Sequence, residues 1–372
     1  MTQVISHDET ATTAAVRPQL VSIQYLRAIA ALTVLVTHAL QWPLGGGHDV
    51  LVNTGRLGVE IFFVLSGFII TVIGGPGSFA PFDFARNRIL RIVPMYWLAT
   101  FVVIGLALAM PSSFRNTVPT LEGVFKSLAF IPSEMPKAPL LLLGWTLNFE
   151  MFFYLVFGSL FFLKAGTRTA VIAVFFLALM AAGSLLQHPS HVQAFYTSYS
   201  LLGFVVGAGV GRLYQLGWLQ RLGGRAMAGL TSAGALALTA FYLITLGSES
   251  GRYLPLFHLA MSFAAMSIVV AAIRAEAEGR LPQIPLLRFL GDASYSLYLF
   301  HLFAVAGVWA IAPKLLGPVS LLTYPPLTLL AVASGLASGV LAYWYLERPV
   351  LEWTRRRRHL AAPNVLRTER TL

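Results

Sequence analysis

The sequence predicts an all-α, polytopic integral membrane protein of about ten transmembrane helices, with both termini in the cytoplasm. Three observations predict it. Of 372 residues, 57% are hydrophobic and only 11% are charged, against about 25% charged in an average soluble domain. Ten apolar segments follow one another, most of them long enough to cross a hydrocarbon layer of about 30 Å at 1.5 Å per residue. The lysines and arginines alternate loop by loop, dense in one and sparse in the next.

The segments, in order, cover 21–42, 57–74, 90–110, 139–163, 169–187, 197–215, 226–247, 255–273, 292–312 and 322–346. The first follows a polar tail, 1–20, with no basic start leading into a short apolar core, so it reads as a retained span rather than a signal peptide. The second contains "GVEIFFVLSGFII". The third opens in an arginine-rich stretch, "FARNRILRIVPMYW", with Pro94 near its start. The loop at 111–138 carries "PTLEGVFKSLAFIP", read as a short amphipathic piece on the outer surface. The fourth segment holds "GWTLNFEMFFYLVF". The sixth carries Gly203, Gly207 and Gly211 at spacings of four, which suits close helix packing. A nucleotide-binding reading of those glycines needs a strand, turn and helix that a membrane span does not provide. After the tenth segment comes a basic tail with "RRRR" at 355–358, a cytoplasmic stop and anionic-lipid contact. The chain thus divides into a tail at 1–20, a membrane domain at 21–350 and a basic tail at 351–372.

The charge pattern gives the orientation. With cytoplasmic termini, the inner side holds Arg17, Arg86, Arg88, Arg91, Lys164, Arg168, Arg212, Arg221, Arg225, Arg274, Arg280, Arg288, Arg348, Arg355 to Arg358, Arg367 and Arg370. The outer side holds only Arg56, Arg115, Lys126, Lys137, Arg252 and Lys314, and Arg27 lies within the first span. Cytoplasmic loops are the ones that retain lysine and arginine. The net charge of +11 therefore describes topology and not nucleic-acid binding. There is no cysteine, which removes disulfide and thiolate chemistry. No Walker A lysine motif supports an ATP-driven pump.

Ionisable groups inside spans cost about 2.5–3.5 kcal/mol on insertion scales and are functional candidates by default. "QYLRAIAALTVLVTHAL" places Arg27 and His38 eleven residues apart. Eleven steps of about 100° end some 20° past three full turns, so both side chains share one helix face, about 16 Å apart along it. Each has a bland reading, snorkelling for Arg27 and an interfacial hydrogen bond for His38. Together they join a cationic inner station to a base-capable outer one. Glu60 is expected at the outer end of the second span, at the depth of His38, where a carboxylate orients an imidazole. Ser66 reads as packing, because Val64 stands where a GxSxG elbow needs its first glycine. Arg86, Arg88 and Arg91 satisfy the positive-inside pattern, or clamp phosphate through their guanidinium forks. Glu150 is mid-membrane with no sequence-evident partner, and Trp145 and Asn148 lie within two turns of it. His301 sits near mid-depth, with Tyr298 one turn before it. Glu347, Arg348 and Pro349 read as a structural cap with an ion pair. His188 and His191 in "QHPSH" have no further ligand nearby, so no metal site is expected.

In order, these features resemble the membrane-bound acyltransferase family 3. The motifs are Arg27 and His38 at their spacing of eleven, "GVEIFFVLSGF", Arg88 and Arg91 as Arg-x-x-Arg, "WTLNFEMFFY", "SYSLYLFH" and the closing "ERP". "IQYLRAIAAL", "RIVPMYW" and "WTLNFEMFFY" are similar to the exopolysaccharide O-acetyltransferase branch. Many members carry aspartate where Glu60 stands. The resemblance covers nearly the whole chain. It implies acyl transfer, with acetyl expected first, from acyl-CoA (acetyl-CoA or another) to a hydroxyl of a sugar in an exopolysaccharide or its lipid-linked precursor. His38 is then catalytic, with Glu60 or Glu150 orienting it or the acceptor. Arg27, Arg86, Arg88 and Arg91 serve the donor, while Trp145, Asn148, Tyr298 and His301 serve the substrate. Implied partners are cytoplasmic acyl-CoA, a sugar or polysaccharide acceptor, the lipid bilayer and other polysaccharide assembly proteins. The implied location is the bacterial inner membrane. Neither metal nor nucleic acid is expected. The competing class is a proton-coupled transporter or a flippase of lipid-linked saccharide, which needs buried ionisable groups but no cytoplasmic arginine clamp.

Overall fold

The computed structural model describes residues 20–41, 49–112, 114, 117–133, 139–247 and 255–361. Among the described residues the chain is helical with no strand, and nine of its helical stretches are long and apolar enough to cross a membrane. The long elements are α1 (Val21–Gln41), α2 (Asp49–Ile73), α3 (Pro81–Ala109), α6 (Ala165–Leu185), α8 (Leu202–Gln215) with the short α7 (His191–Tyr196) before it, α10 (Gly224–Gly247), α11 (Pro255–Ala277), α13 (Ser294–Leu316) and α14 (Tyr324–Ala342) running through a π-helical turn into α15 (Arg348–Ala361). The remaining expected segment, 139–163, is helical only over α5 (Gly144–Ser159), 16 residues. At 1.5 Å per residue that is about 24 Å, short of a full crossing. The amphipathic piece expected in the loop after α3 is α4 (Leu121–Leu128), started by Thr120 Oγ1 accepting from the Gly123 amide at 3.1 Å. Two further short helices, α9 (Trp218–Arg221) and α12 (Pro285–Asp292), complete the order. The "RRRR" run falls on α15, which takes in 351–361 of the basic tail; residues 1–19 and 362–372 lie outside the described residues, as do Arg115, Lys137 and Arg252.

The ends of the helices sort to two sides, as an alternating path requires. On one side the Pro76 carbonyl accepts from the Ala165 amide at 3.0 Å. On the same side Arg274 donates to the Gln220 carbonyl at 2.6 Å, and Tyr25 Oη donates to the Pro282 carbonyl at 2.9 Å. On the other, Trp309 Nε1 donates to the Ala39 carbonyl at 3.1 Å and Tyr324 Oη to the Leu40 carbonyl at 2.9 Å. Arg168, read from sequence as a topological charge, is 1% exposed. Its guanidinium donates to the carbonyls of Gly74, Gly75, Gly77 and Leu163 and lies 4.9 Å from the ring centres of both Phe79 and Phe157. It staples the loop between α2 and α3 to the end of α5. Buried carbonyls need donors, and one arginine supplies four of them.

Helix α8 packs against α2 through its glycines. A Cβ at Gly207 would lie 2.1 Å from the Val64 carbonyl oxygen, and one at Gly203 2.6 Å from Glu60 Oε1. Gly67 answers from α2, where a Cβ would lie 2.3 Å from the Phe204 carbonyl. The backbones therefore approach as only glycine permits. Large apolar side chains such as Leu155, Phe162, Val174, Leu236 and Leu329 are exposed on the outside of the bundle, the expected state of a surface whose solvent is lipid.

Candidate active site

The site is built around α1, and both ends of that helix are tied down. A helix start leaves amides without acceptors. Here Glu276 of α11 supplies them, taking the Val21 amide at 2.8 Å, the Ser22 amide at 2.9 Å and Ser22 Oγ at 2.5 Å. Helix α12 lies against α1 at Gln24, where a Cβ on Gly291 would be 2.2 Å from the Gln24 carbonyl oxygen. Tyr25 Oη also accepts from the Ile284 amide at 2.5 Å. Arg27 is thereby held nearly two turns into α1 at a fixed height.

A cavity of about 90 Å³ opens beside Arg27, with Arg88 and Arg91 of α3, Ser66 of α2, Glu150 and Tyr154 of α5 and Tyr298 of α13 in its wall. Glu150 accepts from Ser66 Oγ at 2.8 Å and from Tyr154 Oη. The Arg88 guanidinium stands 6.0 Å from the Tyr154 ring centre, and its buried Nε has no hydrogen-bond partner. Arg27 is within electrostatic reach of Arg91, Glu347, Asp292 and Glu150. Among the described residues none of the three arginines forms a salt bridge. The cavity lining itself holds three guanidiniums and one carboxylate, with Glu347 and Asp292 behind Arg27, so the surface open to a ligand is positive, which suits an anion.

At the far end of α1, His38 Nδ1 lies 3.0 Å from His301 Nε2, and the rings stack at 5.2 Å between centroids and 28° between planes. Thr146 and Tyr298 hydroxyls meet at 2.8 Å, and Phe62 packs edge-on to Tyr298 at 6.0 Å. Tyr298 lines the cavity and its ring centre is 6.4 Å from that of His301. It therefore stands between the arginine cavity and the histidine pair.

The other expected site residues fall elsewhere. Helix α2 starts at Asp49, eight residues before the apolar run, so Glu60 is mid-helix. Gly55 faces Thr37 and Gly58 faces Ala30 and Val34, which sets Glu60 opposite residue 32 of α1 or lower, at least six residues, or about 9 Å of rise, below His38. Its carboxylate accepts from Ser262 Oγ of α11, and it is 2% exposed. It does not bond His38. Arg86 is exposed and absent from the cavity wall, because two residues on a helix turn it about 200° from Arg88. On α5 the cavity takes Thr146, Leu147, Glu150 and Tyr154. Trp145 turns instead to Phe63 and Phe149, and Asn148 is buried with both amide atoms unpaired. Glu347 accepts from the Ser296 amide and hydroxyl at 3.2 and 2.6 Å, while Arg348 pairs with Glu352 at 2.8 Å. The expected Glu347–Arg348 pair is not formed. Ser66, read from sequence as packing, and Tyr154 join the cavity wall beside the expected residues. Tyr154 carried a signal, its spacing of four from Glu150, which puts both on one helix face. Among the described residues no three histidine or acidic side chains gather as a metal site.

A family model described as an acyltransferase domain matches residues 20–344. The chain is 39% identical over 316 residues to the exopolysaccharide production protein ExoZ of Rhizobium meliloti, covering 84% of this chain and 94% of that protein. It is 26% identical to acyltransferase MdmB of Streptomyces mycarofaciens, over 92% of this chain and 94% of that one. It is also 26% identical to peptidoglycan O-acetyltransferase OatA of Listeria monocytogenes, over 88% of this chain but only 55% of the longer relative. No solved structure is a significant match.

Proposed function

The chain belongs to the acyltransferase 3 family, and we propose that it moves an acyl group, acetyl first, from acyl-CoA to a hydroxyl of an exopolysaccharide sugar or its lipid-linked precursor. The observation that carries this reading is the joining of an arginine-walled cavity and a histidine pair by one helix face. Arg27, Arg88 and Arg91 take the phosphates of the donor, since guanidinium forks match phosphate oxygens. At about 90 Å³ the cavity is far smaller than the ~300–1,000 Å³ of a drug-sized ligand site. It fits a single extended arm, so the nucleotide stays at the mouth and the thioester end points inward, past Tyr298. Glu150, fixed by Ser66 and Tyr154, balances the arginines and shapes the wall.

His38 acts as general base. It takes the proton of the acceptor hydroxyl as that oxygen attacks the thioester carbonyl. The new C–O bond forms, the C–S bond breaks, and the proton passes from His38 to the departing thiolate. The arginine end faces the cytoplasm, where acyl-CoA is found, and the acceptor sugar reaches His38 from the opposite side of the inner membrane. The exopolysaccharide assignment draws on the relative with 39% identity.

The test is transfer from radiolabelled acetyl-CoA to the host's surface polysaccharide, in membranes holding wild type or His38→Ala at equal protein level. Label in the polysaccharide that disappears in the variant supports the reading. Equal labelling in both removes His38 from the chemistry, and no labelling in either removes acetyl-CoA or this acceptor.

A further inference from the structure

We infer that His301 is the positioning residue that fixes the tautomer of His38, leaving the Nε2 lone pair of His38 free as the base; what that lone pair does rests on the acyl transfer proposed above. The argument starts at a backbone carbonyl. His301 is 0% exposed, and its Nδ1 lies 2.9 Å from the Leu297 carbonyl oxygen one turn earlier on α13. A carbonyl only accepts, so Nδ1 of His301 carries a hydrogen. A neutral imidazole has one N–H and one lone pair, which leaves the lone pair of His301 on Nε2. That atom is 3.0 Å from His38 Nδ1. The hydrogen between the rings therefore belongs to His38 Nδ1, and the other nitrogen of His38, Nε2, is unprotonated.

The reversed arrangement sets two lone pairs against each other at 2.9 Å, between His301 Nδ1 and Leu297. Those lone pairs repel, and His301 Nδ1 gains no hydrogen bond from the carbonyl it faces. Protonating His301 on both nitrogens would bury a cation, and among the described residues no carboxylate is bonded to either ring. The geometry is held from outside the pair. A Cβ at Gly335 of α14 would be 2.5 Å from Leu35 Cδ1 and 3.5 Å from His301 Cβ, so α14 presses on both helices at this level. The bonds from Trp309 of α13 to Ala39 and from Tyr324 of α14 to Leu40 lock the end of α1 beside both helices. In hydrolytic triads a carboxylate orients the histidine. Here a helix carbonyl does so through a second, neutral imidazole. When His38 Nε2 gains the acceptor's proton, His38 Nδ1 keeps its bond to His301, and no proton moves between the rings.

The experiment compares His301→Gln, His301→Asn and His301→Ala. A glutamine amide oxygen reaches the position of Nε2 and accepts from His38 Nδ1, whereas asparagine stops at the position of Nδ1. The proposal expects His301→Gln to keep kcat within about tenfold of wild type. His301→Asn and His301→Ala should lose about 10²-fold or more in kcat, with the donor KM unchanged. Independently of turnover, ¹⁵N spectra of histidine-labelled protein read the tautomer, the His38 signals being those lost in His38→Ala. Wild type should show a protonated Nδ1 and a bare Nε2 on His38; in His301→Ala the Val34 carbonyl, one turn earlier on α1, is the acceptor left to the ring, and the Nε2–H form should appear beside the Nδ1–H form. A wild-type His38 protonated on Nε2, or equal activity of the Gln and Asn variants, overturns the proposal. The expected spectra without any acyl transfer would sink the proposed reaction and leave the tautomer assignment standing.

Discussion

Two glutamates of the same kind, both inside apolar helices, have different fates. Glu150 meets Ser66, Tyr154 and the arginine cavity. Glu60 meets Ser262 among α2, α8 and α11, away from that cavity. Glu150→Gln removes the one anion in the cavity wall and should lower acetyl transfer by about 10²-fold, a typical loss for a site electrostatic group. Glu60→Gln keeps an acceptor for Ser262 and should stay within about threefold of wild type. Labelled transfer at matched protein level measures both, and equal losses would contradict this division. Sequence marked both residues as costly and therefore significant. It misplaced Glu60, because the apolar run begins at 57 while the helix begins at Asp49. Hydrophobicity marks where lipid begins, and backbone hydrogen bonding decides where the helix begins.

At the scale of the elements, the α2–α8 seam is the clearest case in which sequence and structure agree. The glycines four apart predict close packing, and a Cβ at Gly207 would meet the Val64 carbonyl at 2.1 Å. Gly207→Ala should destabilise the fold by about 1–3 kcal/mol. Gly209→Ala has nothing within 4 Å of the added carbon and should leave stability unchanged or slightly improved. Thermal unfolding of the two variants in the same detergent measures the difference, and matching losses would place the seam elsewhere. The boundaries of α5 were not legible. The sequence offers a largely apolar segment of 25 residues there, but only 16 coil into helix. The capping of α1 was equally hidden, since Glu276 lies 254 residues from Ser22.

For the molecule as a whole, the alternation of basic loops predicts which side each connection faces; among the described residues, the bonds of Ala165 to Pro76, Arg274 to Gln220 and Trp309 to Ala39 each join helix ends that this alternation puts on one side. The chain contains no cysteine, so single introduced cysteines report topology without background. Gln187→Cys, exposed beyond α6, should react with an impermeant thiol reagent applied outside intact cells. Gln283→Cys, exposed between α11 and α12, should react only after the membrane is opened. The opposite pattern would invert the orientation and place the arginine cavity on the wrong side for cytoplasmic acyl-CoA.

The sequence by itself determined the membrane class, the order of the spans and the shared face of Arg27 and His38. Each of these depends on local composition or on the fixed rise and turn of a helix. It also carried the family motifs. Only the tertiary structure decided that His38 meets His301, that Glu150 rather than Glu60 joins the arginines, and that Arg86, Trp145 and Asn148 lie outside the cavity wall. Those outcomes depend on how helices distant in the chain rotate and slide against one another. That rotation and sliding are set by close contacts such as Gly335 on Leu35 and Gly207 on Val64, which no single helix's periodicity encodes.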